Sequence, residues 1–285
     1  METLGSIPIM ENDFGFYTDK NKAGKTFIEA FPKEFKQYNS ETLEKTISGE
    51  CRFNDKGLLT GSNVFVLSLI RKENLLPENQ FLFTPENFAT AFNKNPEVFR
   101  GTYQDQGLAI TISPGQSKNS NILIQTLARQ VKDFGYDASP QSPIFVYHSA
   151  LNPITNQDSP CGFIFDIKDK KGIVKATAFG VDNTIKRFSK YDKKAVPIPK
   201  EDGDYIIYSV PRNSGVSRVC SNYIQGADSS DDHLAGSNAG GRVAVGTVVP
   251  RDETEFKKLI SQERTRRETA IKNLETELAN LKTQN

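Results

Sequence analysis

Three cysteines, Cys51, Cys161 and Cys220, and two histidines, His148 and His233, are the chain's whole supply of thiol and imidazole. A thiol attacks only as the thiolate, and imidazole is the usual base that makes thiolate near neutral pH. Cys220 lies in residues 217–225, Ser-Arg-Val-Cys-Ser-Asn-Tyr-Ile-Gln, a polar stretch after Gly215. That stretch is expected to open a helix, whose N-terminal end would lower the thiol pKa. His233 follows across a Gly/Ser/Asp/Asn segment, ahead of a strand beginning near Arg242, and Asp204 or Asp232 is available to orient it. The alternative pair is Cys161 with His148. They flank residues 153–160, and a hairpin there would set them nearly opposite each other.

A nucleophile on a helix with a base ahead of a strand is the general logic of papain-like and transglutaminase-like enzymes. The sequence therefore supports a cysteine-dependent hydrolase or acyl-transferase using Cys220 with His233 or His148 and Asp204. Against it stands the tendency of free cysteine to be buried as a small apolar residue. No cysteine pair has the close spacing of a zinc site and histidines are few, so no metal site is expected. Gly24-Lys25-Thr26 lacks the phosphate-loop glycine five residues earlier, where Asp19 stands, and no other cofactor motif is present.

A second reading starts at Val98-Phe-Arg-Gly-Thr102, which is similar to the strand-borne Arg-Gly of mono-ADP-ribosyltransferases. Thr111-Ile-Ser113 and Asp202-Gly-Asp204 occupy places comparable to that family's Ser-Thr-Ser strand and acidic pair. The resemblance implies that Arg100 holds a dinucleotide. The departures are a missing Ser-Thr-Ser, a short arginine-to-serine spacing, and Asp where the family has a catalytic Glu.

These residues need elements to carry them. Phe27, Ile28, Phe31, Phe35 and Tyr38 step at helical spacing, with Pro32 marking a break or a second start. Ser40 with Glu41 and Glu44 resembles a further helix start. The apolar run 64–70 is a buried strand or a short buried helix. Residues 85–92 form a helix capped by Thr84 with Pro85 first, and 121–134 form one stopped by Gly135. Segments 107–113, 144–148, 163–167, 173–179, 205–210 and 242–249 have strand composition. The pair 163–167 and 173–179 reads as a hairpin, and 226–241 reads as an exposed loop. The fold class is α+β: a mixed or antiparallel sheet with flanking helices, followed by a C-terminal amphipathic, short coiled-coil-like helix. Residues 1–20 form an extended arm, 21–251 one domain, and 252–285 the helix.

Phe256, Ile260, Ile271, Leu274, Leu278 and Leu281 lie on one stripe, and the last four alternate three and four apart as in a heptad seam. Two heptads are marginal alone, so the helix needs its own domain, a second copy or another protein. A non-catalytic protein-binding module is accordingly the third reading, with a homo-oligomer one form of it. The last thirty residues, with Glu263, Glu268, Glu275 and Glu277, resemble the glutamate-rich export signals of type IV secretion effectors, which implies delivery into a host cell.

Thirty-six basic residues against 35 acidic ones leave a net charge of +1, which draws the chain neither to nucleic acid nor to anionic lipid. Nineteen Phe and nine Tyr supply ample core material. No apolar run reaches the ~18 residues of a membrane span. An odd, scattered cysteine count fits a reducing compartment. Glu2, Glu11 and Asp13 without a basic region are not expected of a Sec-type signal peptide.

Overall fold

The computed structural model describes residues 14–38, 47, 50–113, 121–159, 161–182, 184–222 and 226–247, and residues 261, 264, 265, 268, 271, 272, 275 and 276 nearer the C-terminus. The chain divides into two units, Met1–Thr247 and Val248–Asn285.

The first unit is α+β. In chain order it holds β1 (Phe14–Phe16), α1 (Phe27–Ala30), α2 (Pro32–Lys36), β2 (Arg52–Phe53), β3 (Leu59–Thr60), α3 (Val64–Lys72), β4 (Gln80–Leu82), α4 (Pro85–Lys94), β5 (Gln104–Ile110) and α5 (Ile122–Asp133). There follow β6 (Ile144–Tyr147), β7 (Leu151–Thr155), β8 (Phe163–Ile167), β9 (Ile173–Lys175), β10 (Lys186–Tyr191), β11 (Pro197–Pro199), β12 (Tyr205–Tyr208), β13 (Val216–Asn222), β14 (Gly226–Asp228) and β15 (Ala244–Thr247). Eight strands form one mixed sheet in the order β11-β10-β12-β14-β13-β5-β6-β9. A three-stranded sheet runs β1-β15-β4, and β2-β3 and β7-β8 are separate pairs.

Local chemistry explains the helices. Phe31 caps the end of α1 and Pro32 opens α2 at its first position, where a missing N–H costs nothing. Thr84 and Asn87 form a capping box on α4. Asn121 caps α5, and Gly135 follows it at φ +87°. The run at 64–70 is helical: Asn63 caps it through Phe65 N–H, and every residue from Val64 to Ile70 is buried. Burial on all sides removes the amphipathic signal that normally separates helix from strand.

Side chains of the central strands alternate between two cores. Leu108, Ile110, Ile144, Val146 and Val216 enter the first, with α3 and α5. Ala109, Phe145, Tyr147, Val219 and Ala227 enter the second, with Phe88 and Phe92 of α4 and with Phe188 of β10. Opposite Val219 stand two β5 residues, Gln106 and Gly107, so β5 carries a bulge. Gly107 sits at φ +154°, and a Cβ there would lie 2.1 Å from the Val146 carbonyl oxygen, which restricts the position to glycine.

Two sequence expectations are corrected, the second in part. Residues 163–167 and 173–179 do not pair with each other: β8 pairs with β7, whereas β9 pairs with β6 in the eight-stranded sheet. The link folds into a 3₁₀ turn at Lys170–Gly172, and beyond Lys175 the chain turns again at Thr177–Phe179. The 226–241 segment is an exposed loop only in part: Ser230, Asp232, His233, Asn238 and Ala239 are exposed. It opens with buried β14, parallel to β12, and Ser229, Ala235 and Gly236 are buried. Of the expected arm at 1–20, residues 1–13 lie outside the described residues, Phe14–Phe16 form β1, paired with β15, and Tyr17 is buried. The expected helix start at Ser40 lies outside the described residues.

Among the described residues no helix is long and apolar enough to cross a membrane.

Candidate functional site

The densest polar chemistry surrounds Arg218, in the middle of β13 and 2% exposed. Its Nε and Nη2 donate to Asp105 Oδ1 and Oδ2, both at 2.9 Å, a bidentate fork. Nη2 also donates to the Ser62 carbonyl at 3.2 Å, and Nη1 donates to Asp231 Oδ2 at 3.0 Å. The guanidinium carbon lies 5.2 Å from the Tyr103 ring centroid. One cation thus meets two carboxylates, of which Asp105 is wholly buried and Asp231 is 40% exposed.

This network holds the 229–241 segment. Arg218 N–H donates to the Asp231 carbonyl, and Asp231 Oδ1 accepts from His233 N–H. Asn63 Nδ2 donates to the Leu234 and Gly236 carbonyls while its oxygen caps α3. Ser237 Oγ accepts from Ser62 N–H and donates to the Ser62 carbonyl, and the Cys51 thiol donates to it at 3.5 Å. Gly241 passes so close that a Cβ would sit 2.2 Å from Ser62 N.

The predicted nucleophile does not stand on a helix. Cys220 is on β13, opposite Asp228 on one side and Asp105 on the other. Pairing on both edges makes residues 216–222 a strand, and burial of every residue from Val216 to Ser221 leaves no alternation to read in the sequence. Burial pushes the Cys220 thiol well above its ordinary value, and the nearby Asp105 and Asp228 carboxylates push the same way. Burial likewise holds the Cys51 thiol at about 12. Cys161 is half-buried and also raised, again by burial.

The imidazoles are placed elsewhere. His148 is buried, its Nε2 bonded to the Phe83 carbonyl oxygen at 2.9 Å, and burial lowers its pKa to about 3. The β7-β8 hairpin forms, but its register leaves His148 beyond the base while Cys161 lies in the turn at the far end, so the two are not opposite. His233 is exposed and bonded through its backbone. Among the described residues no thiol shares a hydrogen bond with an imidazole. Asp204 is exposed on the approach to β12, its N–H bonded to Ser189 Oγ.

The residues of the transferase reading are also dispersed. Arg100 is exposed and pairs with Glu97 at 3.1 Å. Thr111 follows β5, whereas Asp202 pairs with Lys200 ahead of β12, and β13 and β14 separate those strands. Among the described residues no three His, Cys, Asp or Glu side chains gather as a metal-binding group.

Sequence reasoning missed Arg218, Asp105, Asp231, Ser62 and Ser237. One signal was available: an arginine set among Val216, Val219 and Cys220 demands a carboxylate partner if it is buried, and Asp105 stands just ahead of the strand expected at 107–113. No protein-family model, curated protein or solved structure matches this chain.

Proposed function

We propose that the protein acts by binding a protein partner, with residues 252–285, read from the sequence as an amphipathic helix, supplying the contact, rather than by thiol catalysis. The observation that carries this reading is the exposure of Ile271 at 55%. Ile271 belongs to the apolar stripe read from the sequence, and the other described helical residues, Ser261, Arg264, Thr265, Glu268, Lys272, Glu275 and Thr276, are exposed as well. An apolar position so placed on a helix suits packing against a helix or groove of a second chain. The Cys51 and Cys220 thiols, by contrast, are buried and hold their protons.

Two measurements test it. Full-length protein, a truncation after Pro250 and Ile271→Asp are compared as pull-down baits and in sedimentation. Loss of a captured protein, or of self-association, in both variants is expected; identical behaviour of all three ends the helix reading. Iodoacetamide at pH 6 addresses the thiol alternative. Cys51 and Cys220 are expected to stay unlabelled in folded protein, and labelling of Cys220 faster than free cysteine would restore the hydrolase reading.

Export into a host cell is a separate proposal, supported by Glu268 and Glu275 as exposed helical residues. Fusion of residues 256–285 to a translocation reporter decides it, and absence of secretion-dependent signal ends it.

A further inference from the structure

Beyond β14 the eight-stranded sheet has one covered face and one open face. On β10 and β12 the covered side carries Phe188, opposite Tyr205, and Lys186, opposite the buried Ile207. Residues between them point the other way: Arg187 opposite Ile206 and, by the same register, Ile185 opposite Tyr208 and Ser189 opposite Asp204. On β11, Pro199 and Pro197 oppose the core residues Phe188 and Tyr191, so Ile198 between them faces outward too. Ile185 is 81% exposed, Ile198 49% and Tyr208 40%, while Ile206 is half-buried. Three of the six large apolar side chains exposed among the described residues therefore share this face. The open face of an antiparallel sheet ordinarily carries polar residues, and a grouped apolar surface marks a contact.

Two features constrain what makes that contact. Strand addition at the β11 edge is blocked. Lys200 N–H donates inward to the Arg187 carbonyl, so the alternate positions, Pro199 and Pro197, are those that should donate outward, and neither has an N–H. A partner must come against the face. The second feature is that the charges on the face complement themselves. Arg187 and Asp204 are both exposed, and neither has an ion-pair partner among the described residues; Arg187 Nη1 donates to the Gly203 carbonyl at 3.1 Å. Arg187 lies beside Ile206, and Asp204 lies one outward position along on the neighbouring strand. A twofold axis in the contact plane, midway between those two residues, sets each Arg187 on the other copy's Asp204 and leaves Ile198 and Ile206 along the axis, against their own counterparts. The strands of the two copies then cross at a wide angle, the orthogonal class of sheet packing.

We infer that two copies of the chain meet on this face, sheet against sheet, as a symmetric dimer. The contact is independent of the C-terminal helix. Three strands at ~4.8 Å spacing and about five residues long cover roughly 250 Å² of sheet. That is well under the ~800 Å² per partner of a standard interface, so the dimer is weak.

Sedimentation of full-length Ile271→Asp, in which the helical stripe is interrupted, reads this contact alone over a concentration series up to roughly 500 μM. Concentration-dependent dimerisation is expected. Arg187→Glu or Asp204→Arg alone sets like charges against each other and should weaken it several-fold. Both together exchange the signs and should return it to near the starting value. Ile198→Asp, also at an exposed position, should abolish it, and stands in if a charge variant folds poorly. Monomer at every concentration overturns the inference. So does dimerisation that neither reversal weakens, or that the exchange fails to restore. The helix reading rests instead on the difference between wild type and Ile271→Asp, so the two fail separately.

Discussion

The two faces of β5 and β13 treat polar groups in opposite ways. On one, Arg218 engages Nε, Nη1 and Nη2 with Asp105, Asp231 and Ser62. On the other, two glutamines, two serines and a threonine are buried with atoms unpaired. Charge explains the difference. An unpaired buried ion is prohibitively costly, so a buried arginine survives only with its carboxylates built around it. A neutral hydroxyl or amide costs far less to leave unmatched, so the fold tolerates it.

Breaking the paired face should have the largest effect. Arg218→Met leaves Asp105 buried without its cation and should cost about 3–5 kcal/mol, read from denaturant midpoints. Pairing it with Asp105→Leu should recover most of the loss, and a double variant no better than the single one would contradict a self-contained pair.

His148 stands between the two cases, with Nε2 bonded and Nδ1 unpaired. Its folded pKa is about 3 against an ordinary 6.5. Between those values the unfolded chain binds a proton that the folded chain refuses, so stability is present above 6.5 and declines as pH falls toward 3. At pH 5 the loss should be about 2 kcal/mol, at about 1.4 kcal/mol per pH unit. That decline should be absent in His148→Gln, and urea melts at several pH values check this.

A smaller effect is expected of Asp231→Ala, whose carboxylate is partly in solvent. About 1 kcal/mol is the expected loss, with faster proteolysis within 229–241. Smallest is Ser217→Ala. Removing an unmatched hydroxyl should change stability by less than about 0.5 kcal/mol in either direction. A loss above 1 kcal/mol would show that the hydroxyl is bonded after all.

How far the sequence reveals this depends on the range of the forces involved. Thr84-Pro85, Asn121 with Gly135, and the break at Phe31-Pro32 are legible because caps and prolines act within a few residues. The partner of Phe163–Ile167 is not. Leu151–Thr155 wins over Ile173–Lys175 because α5 anchors β8 from outside: Gln130 donates to the Phe165 carbonyl and accepts from Ile167 N–H. The strand at Gly226–Asp228 lacks strand composition altogether, and its place beside β12 needs small residues rather than β-formers. Cys220 was misplaced for a related reason. Its polar neighbours suggest an exposed helix start, whereas Ser217 and Ser221 are the buried unpaired groups themselves. The candidate site eluded the sequence because its carboxylates, Asp105 and Asp231, lie far apart in the chain and meet only through Arg218.

Strand β15 is hydrogen-bonded on both edges, to β1 and to β4. Any tension carried along the backbone past Thr247 therefore reaches a strand gripped by two ladders, one of them made by Phe14–Phe16. A tug on whatever follows is shared between the two extremes of the folded unit at once, so that unit should yield in a single step rather than peel from one end.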